Sequence, residues 1–321
     1  MKKIFLLYFF GIISAYSQIL GCTDPLSKNY NPNANINDGS CLYNNVKIKP
    51  EYSIKLSDSV KETSGLIAFD NLLWTHNDDH DTTVYGIDTL GKIQRKVILQ
   101  NAKNHDWEEI SQDSAYLYIG DFGNNASGNR TDLHILKIEK KSFFEGHPLI
   151  DTISFSFSDQ ADFNSKHNTT NFDCEAFIVS QDSIYLFSKQ WKTSRTAIYS
   201  LPNQSGNHVA TFKKTLDTKG LITGAAYLES KKLIVLCGYS KKGKPFLYLL
   251  YDFKNQDFLS GNKRRIALPF SFLQTEGIAT KDGLHYYLTN ESLIRKPILN
   301  VPQQIHHLDL SSLLDFYLNN N

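Results

Sequence analysis

Thr63-Ser64-Gly65-Leu66, Trp107-Glu108-Glu109-Ile110, Cys174-Glu175-Ala176-Phe177, Ile222-Thr223-Gly224-Ala225 and Thr275-Glu276-Gly277-Ile278 are five versions of one phrase. In each, an oxygen-bearing side chain is followed by a mostly small residue and then an apolar one, and the phrase opens a β-patterned run. A turn, a second β-run, a charged loop and a third run come after it. The oxygen column reads Ser64, Glu108, Glu175, Thr223 and Glu276, and subtraction places its members 44, 67, 48 and 53 residues apart. A period of ~40 to 50 residues built from short alternating runs is that of a four-stranded propeller blade. The expected fold class is therefore all-β, a five-bladed β-propeller with an insertion at residues 158–171 before the third unit. A six-bladed ring is the alternative and needs roughly forty residues more, one further blade.

Composition sets the outer limits. In 321 residues, 41% hydrophobic and 12% aromatic side chains supply a core of domain size. Lys plus Arg number 34 against 33 Asp plus Glu, a net charge of +1, which gives no general attraction to nucleic acid or to anionic lipid. Met1-Lys2-Lys3, the apolar run 4–15 and Ala15-Tyr16-Ser17 read as a signal peptide, residues 1–17, cleaved after Ser17. That predicts a secreted or cell-surface protein. Ile19-Leu20-Gly21-Cys22 also permits a lipoprotein reading with Cys22 lipidated. No later run approaches ~18 apolar residues, so no transmembrane helix is expected, and a monomer is.

Export implies an oxidising compartment, where Cys22 and Cys41 would staple the polar segment between them. Residues 18–43 form this module, 44–51 a linker, and 52–321 the main β domain, with 52–57 pairing with the last unit. Cys174 and Cys237 read as buried free thiols. The module's Gly21-Cys22-Thr23-Asp24-Pro25, Asn29-Tyr30-Asn31-Pro32-Asn33-Ala34 and Asp38-Gly39-Ser40-Cys41 resemble a small module of secreted bacterial proteins, itself similar to the calcium repeats of thrombospondin. The resemblance implies a second, weak calcium site within residues 22–41; a calcium-free loop is the alternative.

If the strand starts converge, three carboxylates and two hydroxyls meet with no Lys or Arg in their column. Their repulsion calls for raised pKa values, water or a cation, and an all-oxygen set suits calcium better than zinc. The expected metal residues are Ser64, Glu108, Glu175, Thr223 and Glu276, with Glu109 exchanging for Glu108 if the register slips by one. A water-filled polar channel is the alternative. The run Ser64-Gly65-Leu66-Ile67-Ala68-Phe69-Asp70-Asn71-Leu72-Leu73-Trp74-Thr75-His76-Asn77-Asp78-Asp79 resembles the first blade of the secreted calcium-activated nucleotidases, or apyrases. The resemblance implies the same five ligands and an acidic pair at Asp78 and Asp79.

The loops after the second runs are expected on the same face as the strand starts. A binding protein for an extracellular small molecule, glycan or protein would use Asp121, Asn124, Arg130, Trp191, Tyr239, Asn290 and Glu291 there. The alternative is a calcium-dependent hydrolase of phosphoester, phosphoanhydride, lactone or ester bonds. In it Asp78 or Asp79 is the base, and Lys189 or Arg195 holds the anion.

Overall fold

The computed structural model describes residues 17–164 and 166–320; the expected signal peptide, apart from Ser17, lies outside the described residues. In the N-terminal module, β1 (Leu20–Gly21) and β2 (Ile36–Asn37) pair in parallel. Cys22 and Cys41 are joined beside them, their Cα atoms 4.8 Å apart. Two short strands follow, β3 (Val46–Lys47) and β4 (Tyr52–Lys55).

Five strand units come next. The first is β5 (Thr63–Phe69), β6 (Leu72–Asn77), β7 (Thr83–Ile87) and β8 (Ile93–Ile98). Asp70 and Asn71, both at positive φ (48° and 61°), make the two-residue turn that a tight hairpin between β5 and β6 requires. The second is β9 (Trp107–Gln112), β10 (Tyr116–Asp121), β11 (His134–Glu139), a short helix α1 (Lys140–Glu145) and β12 (Ile150–Phe157). The third is β13 (Asp173–Ser180), β14 (Ser183–Lys189), β15 (Thr196–Pro202) and β16 (Gly206–Leu216). The fourth is β17 (Leu221–Leu228), β18 (Leu233–Tyr239), β19 (Pro245–Tyr251) and β20 (Asn262–Ala267). The fifth has β21 (Thr275–Thr280), β22 (His285–Asn290), a side hairpin of β23 (Leu293–Arg295) and β24 (Leu299–Val301), then β25 (Gln304–Asp309) and helix α2 (Ser311–Asn320).

All-β content is confirmed, but the propeller expectation, five-bladed or six-bladed, is corrected. The units do not form equal, repeated blades. Parallel pairing of β12 with β16, from Ile153 opposite Gly206 to Phe157 opposite Ala210, fuses the second and third units into one eight-stranded sheet. Its two edge strands, β9 and β13, lie beside each other, so this sheet nearly closes into a barrel. The fourth unit gains β3 as a fifth strand, and the fifth unit gains β4 against β25. Two separate four-stranded sheets result, and of these only that of the first unit is built wholly from its own unit's strands among the described residues. The physical reason is edge pairing: a strand leaves unpaired N–H and C=O groups along its rim, and here neighbouring segments satisfy them unequally.

The C-terminal segment closes the fifth unit as a helix and not as a further strand: Leu313, Leu314, Tyr317 and Leu318 recur at helical spacing and are buried against Leu308 and Leu310. Between neighbouring units the core is large and aromatic. Trp74, Trp107 and Phe143 fill the space between the first two, and Phe187, Leu236 and Phe246 that between the third and fourth.

Candidate metal centre

The oxygen column has a local cause in the backbone. In each first strand the ladder shifts register at or beside that residue: Glu108, Glu175, Thr223 and Glu276 are skipped by their partner strands, and the shift in β5 falls between Ser64 and Ile67. A bulge of this kind re-aims a side chain out of the regular alternation. In β5, Gly65 supplies the bend at φ +61°, where an added Cβ would lie 2.6 Å from the Ile110 nitrogen. The five first strands adjoin, β5 with β9 and β21, and β13 with β9 and β17.

Four column members reach one polar pocket of about 90 Å³: Ser64, Glu108, Glu175 and Glu276. Thr223 does not line it; its hydroxyl donates to the Thr275 carbonyl. Ser64 Oγ likewise donates to the Glu108 carbonyl at 2.7 Å, so both hydroxyl protons are committed to main chain. Glu109 turns away from the pocket, fully buried, and accepts from the Ile110 and Ala225 amides at 2.9 and 2.7 Å.

Three further carboxylates come from outside the column: Asp78 after β6, Asp106 before β9 and Glu291 after β22. Asp173 adjoins them, and ligand oxygens of Glu108, Asp173 and Glu175, all buried, lie within 4.8 Å of one another. A second group, Glu62, Asp78 and Asp79, meets the same limit but is partly exposed. Asp106 and Asp173 were missed in the sequence, although a signal exists. They stand two residues before Glu108 and Glu175, as Glu62 stands before Ser64, and residues two apart on a strand share a face.

The charge balance is strongly negative. One cation lines the pocket, Lys189, whose Nζ is ion-paired with Glu175 and lies over the rings of Trp191 and Tyr239. Burial acts against its charge, yet Glu175 and the other acids around it hold the ammonium well protonated. Burial and then the neighbouring acids push Glu108 and Glu276 well above the usual carboxylate range, Asp78 to about 8 and Asp106 to about 6. The carboxylates of Glu108 and Glu276, both 6% exposed, make no hydrogen bond among the described residues, and Asp78 Oδ1 is buried without a partner. Gly123 backs the cradle: a Cβ there would come within 2.1 Å of Asp106 Oδ2 and 2.2 Å of Glu108 Oε1.

The expected common ligand face is not assembled, so the reading of an axial calcium site beneath a ligand-binding mouth is corrected, and with it the hydrolase built on that arrangement. Asp121 is fully buried and paired with Arg130 at 2.8 Å. Asn124 is held by Asp173 and the Phe172 carbonyl. Asn290 is buried between His306 and the Glu291 and Pro302 carbonyls. Glu291 accepts from Gln274, and Trp191 donates to Asp173 at 2.6 Å. Arg195 sits in a turn paired with Gln190, outside the pocket lining, and Asp79 faces His80 at 2.7 Å. Of the four expected catalytic groups, Asp78 and Lys189 reach the pocket. In the module, Asp24, Asn31, Asn37 and Asp38 each accept from a nearby backbone amide.

No family model matches the chain, and no curated protein matches it. Among solved structures, the exo-beta-1,3-galactanase 1,3Gal43A from Clostridium thermocellum is similar at a TM-score of 0.52 and 12% identity, over 80% of this chain and 61% of that one. The PQQ-bound aldose sugar dehydrogenase from Streptomyces coelicolor gives 0.46 and 9%, over 82% and 97%. The Kuenenia stuttgartiensis hydrazine synthase gives 0.38 and 10%, over 77% of this chain and 60% of that one. The chain thus spans about three fifths of the hydrazine synthase and of the galactanase. None of these is an apyrase or a thrombospondin-type module, so both resemblances drawn from the sequence are corrected. The likeness that remains is one of all-β fold.

Proposed function

We propose that the chain is a divalent-cation-binding protein in which the buried acid pocket takes a hard cation, calcium before magnesium, that ties β9 to β13. One observation carries this reading: Glu108, Asp173 and Glu175 bring buried oxygens within 4.8 Å of one another beside a single lysine. Buried charges persist when paired or bound to metal, and flexible all-oxygen sets of this kind suit calcium. Glu276 and Asp78, with oxygens lacking partners, complete the donor supply. Nitrogen and sulfur donors are not in this set, which disfavours zinc. We further propose export, on the Cys22–Cys41 disulfide together with the charged and apolar N-terminal sequence. Among the described residues no helix is long and apolar enough to cross a membrane. The test is thermal melting of residues 18–321 in calcium, in magnesium and in chelator. A cation at a hundredfold its Kd stabilises by about 2.7 kcal/mol, which for a chain of this size is a rise of about 4 °C. Equal melting in all three solutions would exclude the reading.

A further inference from the structure

Beside the acid pocket lies a larger groove of about 620 Å³, which shares Gln274 with it and has the opposite charge. One side is the turn between β18 and β19, bearing Lys241 and Lys242; another is the β23–β24 hairpin, bearing Arg295. None of these three cations makes an ion pair among the described residues. Of the residues expected to share one ligand face, only Trp191 and Tyr239 line this groove.

Its apolar wall is held in an unusual state. Phe272 is 57% exposed and sits at φ +57°, a conformation costly for a bulky residue, and its backbone N–H donates a hydrogen bond to the Gly243 carbonyl at 2.6 Å. Asn168, at φ +55°, lines the groove too. Aromatic surface and cations on two sides thus face one concavity.

We propose that this groove binds an acidic oligosaccharide, a chain of sugar rings carrying carboxylate or sulfate groups. Phe272 and Trp191 offer aromatic surface to the C–H faces of sugar rings, and apolar walls with a few placed polar groups are the usual make-up of such sites. The Lys241–Lys242 pair and Arg295 lie on separate segments, so they match charges spaced along a chain better than one compact anion. The proposal goes beyond the cation reading and does not rest on it.

Tryptophan fluorescence offers a direct readout, because Trp74 and Trp107 are fully buried and Trp191 is not. Residues 18–321 are titrated in chelator with a polyuronate hexasaccharide, a sulfated hexasaccharide and a neutral hexasaccharide. The acidic sugars should change the emission saturably, and the midpoint should rise severalfold between 50 and 200 mM salt. Lys241→Glu with Lys242→Glu should weaken binding at least tenfold, and Arg295→Gln or Phe272→Ala severalfold, in proteins whose melting is unchanged. Equal binding of the neutral sugar, or unchanged affinity in the charge-reversed protein, would overturn the proposal. Tighter binding of a poly-glutamate peptide would overturn the sugar assignment. Loss of binding in chelator would overturn the groove as an independent site, whereas the cation reading stands or falls on melting alone.

Discussion

Replacing Glu108 by Gln should act in opposite directions with and without cation. Two unit charges 4.8 Å apart, the limit within which the Glu108, Asp173 and Glu175 oxygens lie, repel by about 3.5 kcal/mol at an effective dielectric constant of about 20. Closer approach would raise this figure, whereas protonation and Lys189 relieve part of it, and one pair at this distance sets the scale. At about 1.5 °C per kcal/mol for a chain of this length, Glu108→Gln should melt about 5 °C higher than wild type in chelator at pH 8. In calcium the order should narrow or reverse, because wild type gains about 4 °C and the variant, lacking a ligand, gains less than about 1 °C. The assay is a melt of both proteins in both solutions. Glu109→Gln is the control: that carboxylate holds the Ile110 and Ala225 amides, so its loss should cost about 1.5–3 kcal/mol in either solution. If Glu108→Gln melts below wild type in chelator and keeps the calcium response, Glu108 is a packing residue and the pocket argument is wrong.

Three more outcomes can be measured. His76 and His306 are held down to about 4 by burial, against an ordinary value of 6.5. The unfolded chain therefore binds more protons between those values, so stability is full above about pH 6.5 and falls as pH drops through 4; His306→Gln should flatten the urea-melt profile over that interval. Replacing Cys22 and Cys41 by Ser opens a closure across 19 residues and should cost up to about 3 kcal/mol by the chain-entropy relation, read as early proteolysis of the module before the main domain. Leu314→Ala, at a fully buried position in α2, should cost about 2–5 kcal/mol in denaturant unfolding, whereas a surface strand at 313–318 would predict almost nothing.

Much of the local structure was legible because it is written in short periods. The five oxygen phrases mark five first strands, and the shifts at Glu108, Glu175, Thr223 and Glu276 explain why an oxygen recurs where alternation alone would not place it. The strand at Tyr52 to Lys55 does pair with β25, and Cys22 does meet Cys41. What failed was assembly. Nothing in the polar run around Gly206 announces that its edge will capture β12, since edge pairing depends on backbone groups that every residue carries. In the pocket, treating the column as the whole site hid Asp106 and Asp173, and a hydroxyl's identity could not reveal that Ser64 and Thr223 would direct their protons to carbonyls. Lys189, foreseen as an anion holder, instead serves as the internal counter-charge of Glu175.

The seam between β12 and β16 has a consequence for how the molecule comes apart. It joins Ile153–Phe157 to Gly206–Ala210, partners more than fifty positions apart in sequence, across two units. Amide protons bonded across this seam exchange with solvent only when the seam itself opens, which couples the two units. In deuterium the second and third units should therefore label as one cooperative block, and β5 to β8, which has no such seam, should label as a block of its own.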